Sequence, residues 1–229
     1  MCTTILRIPE SPSDAISLLA VRDEDPNRAW NPLGESWPEL PGVIGVQDRR
    51  AGGAWLAARP AAGRLAVILN REGEPDLPEG LIASRGALPL DEVAGQPLPD
   101  PLRTRGFNLL SIAGGSATVT SWDGAELAAE TLGPGTHMLA HHDVDDPRTA
   151  RIARWLEAFA DAPVNAWLDV LAESARLDPG DDRAIVRDNR PHGIPTMSTL
   201  VCAATVTPDR ADVRYAEFAE PGTYSPVEF

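Results

Sequence analysis

Cysteine is scarce in this sequence, and the usual marks of secreted or membrane-bound proteins are missing. The 229 residues include two cysteines, Cys2 and Cys202, which do not make a disulfide framework. No apolar stretch approaches the roughly 20 residues that span a bilayer. The N-terminus lacks the basic segment and long apolar core of a signal peptide. These absences predict no membrane span and a reducing, cytoplasmic location.

Basic residues are also few. The chain has 20 Lys and Arg against 34 Asp and Glu, a net charge of -14. Nucleic acids and anionic membranes are bound through basic patches, so neither is expected as a partner. The hydrophobic fraction of 43% is ample for a buried core. Because no linker or internal repeat divides the chain, we predict a single domain over residues 1–229.

Short apolar segments separated by turns dominate the chain. They predict strands over residues 2–8, 14–21, 43–47, 54–58, 64–70, 107–113, 117–121, 126–132, 199–207 and 211–218. Many short strands at close spacing favour stacked antiparallel sheets.

Helical periodicity is strongest over residues 147–160. Asp146 can cap this helix, and three arginines, Arg148, Arg151 and Arg154, are expected off its apolar face. A second helix is predicted after Pro163, and a weak one over residues 77–93. Residues 177–195 are polar and rich in Pro, Gly, Asp and Arg, which predicts a loop that could serve as a lid. Helices beside stacked sheets make an α+β fold.

Cys2 is the first candidate functional residue. If Met1 is removed, Cys2 carries a thiol and a free α-amine, whose ordinary pKa near 8 suits a general base at neutral pH. The apolar residues that follow place it at the start of a strand. This is the arrangement of an N-terminal-nucleophile hydrolase, although a small residue in second position also occurs without any role.

Arg22 and Asp23 stand where the second predicted strand ends, so an antiparallel pairing could bring them beside Cys2. Arg22 could favour the thiolate, and Asp23 could accept a hydrogen bond from the α-ammonium group. The same residues could equally form a solvated charged turn. Asn70 ends another strand, where its amide could donate to an oxyanion or simply turn the chain.

The histidines offer a second possible chemistry. His137, His141 and His142 lie near several aspartates, but no matched second cluster accompanies them. We therefore predict no metal site. His141 or His142 could instead face a catalytic cleft.

Several short motifs, in order, carry a family resemblance. They are Met1-Cys2-Thr3, Val21-Arg22-Asp23-Glu24, Gly52-Gly53-Ala54-Trp55-Leu56, Leu69-Asn70, Ser84-Arg85-Gly86, Gly106-Phe107-Asn108-Leu109 and Pro134-Gly135-Thr136. Together they resemble the NRDE family, which includes the Golgi-organisation proteins of the transport-and-Golgi type. That family is in turn similar to choloylglycine-type N-terminal-nucleophile hydrolases.

The resemblance implies a four-layer αββα sandwich of two stacked antiparallel sheets. It also implies Cys2 as the nucleophile, Arg22 and Asp23 as its supports, and Asn70 as an oxyanion donor. His141 stands where the hydrolases have a second donor, an asparagine. Two further departures are Val21, in place of the Asn of the motif, and residues 195–199, where a supporting arginine is lost.

Two functions follow from the resemblance. The first is a cysteine amidohydrolase that cleaves the C–N bond of a small or non-peptide amide without a cofactor. The second is a non-catalytic binding or trafficking protein for haem or an acyl or lipid small molecule, which would use the same cleft. The sequence leaves both functions open, together with the oligomeric state.

Overall fold

Two antiparallel β-sheets lie face to face in the computed structural model, which describes residues 2–229. The first sheet has five strands in the order β10-β1-β2-β11-β12. Its strands are β1 (Thr3–Ile8), β2 (Ile16–Glu24), β10 (Gly135–Leu139), β11 (Met197–Val206) and β12 (Ala211–Glu217). Because β2 lies between β1 and β11, the chain's first hairpin is brought beside one of its last strands.

The second sheet has seven strands that follow one another in chain order, as an antiparallel meander. Its strands are β3 (Trp30–Gly34), β4 (Ile44–Asp48), β5 (Ala54–Arg59), β6 (Arg64–Asn70), β7 (Phe107–Ala113), β8 (Ser116–Trp122) and β9 (Leu127–Thr131). Most connections are short because each strand pairs with the next, whereas the long connection of residues 71–106 between β6 and β7 carries a helix.

Helices cover the outer face of each sheet. Helix α1 (Leu88–Ala94) packs on β5, β6 and β7. Helix α2 (Ala150–Asp161) packs on β10, and α3 (Trp167–Ser174) joins it on the five-stranded sheet. The result is the predicted α+β fold with layers in the order αββα. No described helix is long and apolar enough to cross a membrane.

Strand alternation divides the apolar side chains between two cores. Leu6 and Leu18 point inward and pack with the seven-stranded sheet. Ile5, Leu19 and Val21 point outward and pack with α2 and α3. Successive residues of a strand face opposite sides, so one hairpin supplies both cores. Each fully buried aliphatic side chain stabilises the fold by about 1.5–3 kcal/mol.

Most predicted strands are confirmed, but β3 and β10 were not predicted. β10 begins at Gly135, an exposed residue with a positive φ, and it joins the sheet by pairing with β1. The weak helix expected over residues 77–93 is reduced to α1 and two single 3-10 turns at Glu79–Leu81 and Arg85–Ala87. A proline at the second position of α1 fits a helix that begins there.

The predicted start of α2 is wrong. The helix begins at Ala150 rather than at Pro147, and Asp146 does not cap it. The carboxylate of Asp146 instead accepts the backbone N–H of Arg148 and pairs with the Arg148 side chain. A local turn therefore uses the groups that the sequence offered for a helix cap.

The segment 177–195 is irregular as predicted, but it is not a free lid. Ala184, Ile185, Val186, Arg187 and Asn189 are buried within it. Its backbone is fastened to β11, where the N–H of Ser198 donates to the carbonyl of Arg187. Buried apolar contacts and these hydrogen bonds hold the segment in place.

Candidate active site

A cavity of about 440 Å³ gathers most of the predicted site residues. Cys2, Arg22 and Asp23 reach it from the five-stranded sheet, and Asn70 reaches it from the end of β6. Trp55 of β5 and Arg85 of the 3-10 turn also line it. The cavity therefore lies where strand ends from both sheets meet.

Arg22 and Asp23 belong to a strand and not to a solvated turn. β2 continues past Val21 because β11 pairs with it, with Ser198 opposite Asp23. Arg22 is 4% exposed and Asp23 is 7% exposed. The pairing with β11, which is distant in sequence, is what buries two charges that the local sequence would leave in water.

Cys2 sits directly beside this pair. Thr3 pairs with Val21, so the chain before Thr3 runs alongside Arg22 and Asp23. The Cys2 Sγ accepts a hydrogen bond from the backbone N–H of Asp23 at 3.4 Å and lies 3.7 Å from the Asp23 carbonyl oxygen. The Cys2 thiol is thus held against the backbone of β2.

In the chain that begins with Met1, burial and then the nearby Asp23 carboxylate raise the pKa of the Cys2 thiol. The N–H of Asp23 and the charge of Arg22 act in the opposite direction but do not outweigh them. At neutral pH the thiol form is favoured, so nucleophilic attack would need a base.

The Asp23 carboxylate is fixed by two buried side chains. Ser198 donates to its Oδ1 at 2.6 Å, and the Asn189 amide donates to its Oδ2 at 3.0 Å. Asn189 also donates to Thr196 and accepts from Arg187, so the carboxylate is anchored through a network. Hydrogen bonds of this kind restrict the orientation of the carboxylate.

The Arg22 side chain is held by a carboxylate and an indole ring. Its Nη2 pairs with Glu24 at 2.7 Å, and its guanidinium lies 5.8 Å from the centre of the Trp55 ring. Its Nη1 is buried and has no hydrogen-bond partner among the described residues. Within residues 2–229, one donor group of Arg22 is therefore left without an acceptor.

Two buried arginines that were not predicted as site residues lie near these groups, Arg151 beside Cys2 and Arg187 beside Asn189. Arg151 of α2 donates to the Thr3 hydroxyl at 2.7 Å and to the Cys2 carbonyl at 3.3 Å. Burial and then the charge of Arg187 lower the pKa of Arg151 to about 10. Arg187 is 3% exposed and binds Asp182 at 2.8 Å.

The expectation that Arg151 lies off the apolar face of α2 is wrong. Arg151 is 2% exposed and lies one turn before Trp155, which is also buried. That i, i+4 spacing was visible in the sequence and places both residues on the same helix face. An arginine on a buried helix face indicates that the packed segment offers polar groups, here the Thr3 hydroxyl and the Cys2 carbonyl.

Asn70 is exposed on the cavity wall, and among residues 2–229 its side-chain amide has no hydrogen-bond partner. An amide at a strand end with free N–H donors is suited to an oxygen that gains negative charge. The alternative, an Asn whose side chain stabilises a turn, has no hydrogen bond to support it.

His141 does not line the cavity. Its ring lies against that of His142, with centroids 4.2 Å apart and ring planes tilted by 43°. The loop of residues 140–142, here called the histidine loop, is held by Asn108, whose amide donates to the Ala140 and His142 carbonyls. Burial and then the charge of Arg151 lower the pKa of His141 to about 3, so its ring is neutral at neutral pH.

His137 is engaged in structure. Its Nδ1 lies 2.7 Å from Asp145 Oδ2, and its Nε2 lies 2.9 Å from the Gly133 carbonyl. The described residues contain no group of three His, Cys, Asp or Glu side chains placed to hold a metal ion.

The change at Val21 lies away from the cavity. Val21 is fully buried in the outer core with α2 and α3, on the face of β2 opposite Ala20. An Asn side chain would have to be solvated there by other buried groups, whereas Val packs directly. The change therefore removes no polar group from the wall of the cavity.

The fold and the cavity define a class of α+β sandwich proteins with a cysteine, here Cys2, in a cavity where strand ends of two stacked sheets meet. Within that class, residues 1–177 match the family described as Transport and Golgi organisation 2, and the chain belongs to that family. A comparison with curated proteins gave no match.

Proposed function

We propose that the chain is a cysteine amidohydrolase of the N-terminal-nucleophile type, acting on the C–N bond of a small or non-peptide amide. One observation carries the proposal. Cys2 is held against β2 in a cavity, beside an aspartate whose two carboxylate oxygens are fixed by Ser198 and Asn189. A reducing compartment would keep this thiol free.

The first step would be acylation. Removal of Met1 exposes the α-amine of Cys2, which takes the thiol proton while Sγ attacks the amide carbonyl carbon. The oxyanion that forms would accept a hydrogen bond from the Asn70 amide. The protonated amine then gives its proton to the leaving nitrogen, the C–N bond breaks, and a thioester to Cys2 remains.

The second step would be hydrolysis of the thioester. The α-amine removes a proton from water as the water oxygen attacks the acyl carbon. The C–S bond breaks, the proton returns to sulfur, and a carboxylic acid leaves. Asp23 would accept a hydrogen bond from the α-amine when the amine is protonated, and the Arg22 charge would favour the thiolate.

Asn70 is the oxyanion donor that the cavity supports. His141 would be a second donor only if the histidine loop reached the cavity, and Asn108 holds that loop by two hydrogen bonds. A donor role for His141 therefore stays a prediction.

Intact-mass spectrometry of the purified chain, followed by assay on a panel of N-acyl amides, tests the proposal. We expect the mass without Met1, release of free amine by the wild type, and loss of release in Cys2→Ala. Cys202→Ala is the matched control, since Cys202 is fully buried and burial raises the pKa of its thiol to about 12. Retention of Met1, or equal rates in Cys2→Ala, would rule the mechanism out.

A second candidate is binding of an acyl small molecule or haem without hydrolysis. The raised pKa of the Cys2 thiol favours binding of an acyl small molecule over hydrolysis, because a protonated thiol is a poor nucleophile, but it opposes haem ligation through Cys2, which needs the thiolate. None of the four histidines lines the cavity within residues 2–229, so haem would have to take Cys2 as its ligand there. A Soret shift on haem titration that Cys2→Ala abolishes would favour this candidate. No shift, with rapid alkylation of Cys2 near neutral pH, would favour the hydrolase.

A further inference from the structure

The wall of the Cys2 cavity is rich in arginine although the chain as a whole is strongly acidic. Five arginines line it against three carboxylates, in a chain of net charge -14. The arginines are Arg22, Arg28, Arg50, Arg85 and Arg105, and the carboxylates are those of Asp23, Glu24 and Asp48. A local excess of positive charge inside a negative protein attracts an anion to that place.

The three carboxylates are already satisfied by the protein. Asp23 accepts from Ser198 and Asn189. Glu24 accepts from Arg22 and from the N–H of the next residue. Asp48 pairs with Arg28 and accepts the N–H of Arg50. None of these groups needs a ligand to complete its hydrogen bonds.

Several donors in the same wall are not satisfied. Arg22 Nη1, Trp55 Nε1 and Arg28 Nε are buried and have no hydrogen-bond partner among the described residues. Arg22 is 4% exposed and Trp55 is 5% exposed, so water is largely excluded from both. Buried donors without acceptors cost about 1–3 kcal/mol each, which an acceptor oxygen from a ligand would recover.

Arg85 is the clearest uncompensated charge. Its one hydrogen bond among the described residues runs from Nη1 to the Gly106 carbonyl at 2.7 Å, and it forms no ion pair with a described carboxylate. Burial, followed by the charge of Arg105, lowers the pKa of Arg85, and negative charge on Cys2 raises it. Arg85 and Cys2 line the same cavity, so a negative charge on Cys2 acts on Arg85.

The glycines near Arg85 explain how it reaches this position. A Cβ on Gly53 would lie 2.4 Å from the Gly86 carbonyl carbon, so the turn before β5 and the 3-10 turn touch backbone to backbone. Ser84 steadies the 3-10 turn by accepting the N–H of Gly86. Arg105 is different, because Glu74 and Glu79 already neutralise it.

We propose that the Cys2 cavity binds an oxyanion, carboxylate or phosphate, through Arg85 and Arg50 and the unsatisfied donors of Arg22 and Trp55. The ligand that reaches Cys2 is therefore anionic. That it is an anionic amide rests on the proposed function, whereas the oxyanion site does not. Guanidinium groups suit both oxyanions because their planar N–H donors match two oxygens at once.

Three probes with one acyl chain separate the possibilities: N-octanoylglycine, the phosphate monoester of N-octanoylethanolamine, and neutral N-octanoylethanolamine. Binding is measured by calorimetry on full-length Cys2→Ala, which keeps the result independent of turnover. We expect at least one anionic probe to bind at least about tenfold more tightly than the neutral probe. The anion that binds more tightly shows whether the site prefers a carboxylate or a phosphate.

Arg85→Gln should weaken the preferred anion about tenfold and leave the neutral probe within about twofold. Arg50→Gln, at an exposed position, should weaken it about threefold, because an exposed charge is screened by solvent. Arg210→Gln is the matched control, being exposed and absent from the cavity wall. If Arg85→Gln does not fold, Arg50→Gln and the salt dependence of binding decide the matter.

Equal binding of all three probes overturns the inference, as does unchanged anion binding in both Arg50→Gln and a folded Arg85→Gln. Wild-type chain that binds the anions but releases no amine contradicts the proposed hydrolase and leaves the oxyanion site standing. The two failures are thus distinguishable.

Discussion

Replacing Gly53 by alanine tests the backbone contact that positions the 3-10 turn at Arg85–Ala87. The new Cβ would lie 2.4 Å from the Gly86 carbonyl carbon and 2.6 Å from both its Cα and its carbonyl oxygen. Ordinary van der Waals contact begins at 3.4 Å, so the Gly86 backbone must retreat by about 1 Å. Arg85, next to Gly86, must move with it.

The expected cost combines two opposing effects. Overpacking a well-fitted contact costs about 1–3 kcal/mol. Gly53 has no positive φ, so alanine also restricts the unfolded chain and recovers about 0.4–1 kcal/mol. We expect the free energy of unfolding to fall by about 1–2 kcal/mol, measured by urea denaturation with the slope unchanged.

Two other glycines separate steric from conformational effects. Gly52→Ala meets nothing within 4 Å but has a φ of +75°, so it should lose about 1 kcal/mol to backbone strain alone. Gly80→Ala meets nothing and has no positive φ, so its stability should be unchanged or slightly increased. Only Gly53→Ala should also weaken binding of the preferred anionic octanoyl probe. A Gly53→Ala variant as stable as Gly80→Ala would refute the steric argument.

Three further predictions concern other parts of the molecule. In the chain that keeps Met1, iodoacetamide should label Cys2 and spare the buried Cys202. Because the pKa of the Cys2 thiol is raised, the labelling rate should rise about tenfold per pH unit up to pH 9. A rate that levels off near pH 7 would contradict this. The hydrogen bond to Asp145 raises the pKa of His137, so the stability that His137 contributes is present below the unfolded pKa near 6.5 and is lost as pH rises through the folded pKa. His137→Gln should therefore lower the free energy of unfolding more at pH 6 than at pH 8.5. The reverse order would refute this. Asn108→Asp should lower the free energy of unfolding, measured by urea denaturation, by about 3 kcal/mol, because two carbonyls of the histidine loop lose their donor and face a carboxylate. A loss below about 1 kcal/mol would show that the loop does not depend on Asn108.

Local patterns in the sequence determined most strands, because alternating or apolar segments bounded by turns favour a strand whichever strand they pair with. The predicted strand over residues 64–70 matches β6, and that over residues 107–113 matches β7. The hairpin of β1 and β2 followed from two apolar segments joined by a short turn. The start of α2 was missed, since Asp146 had a competing local use in a turn.

The candidate site depended on contacts that no local pattern contains. Arg22 and Asp23 were equally compatible with a charged turn, and only pairing with β11 turned them into buried strand residues. The partners of Asp23, Ser198 and Asn189, lie 175 and 166 positions away in the chain. Such partners are specified by how the whole sheet assembles.

The sequence by itself therefore determined which residue types could perform chemistry, beginning with a cysteine that removal of Met1 would make N-terminal. The tertiary structure alone decided which of them meet. It joined Cys2, Asp23 and Asn70 on one cavity, left His141 off its wall, and buried Arg151 beside Cys2. The physical reason is that burial and long-range hydrogen bonds, which decide whether a charged side chain is solvated or held, arise only when distant strands pack together.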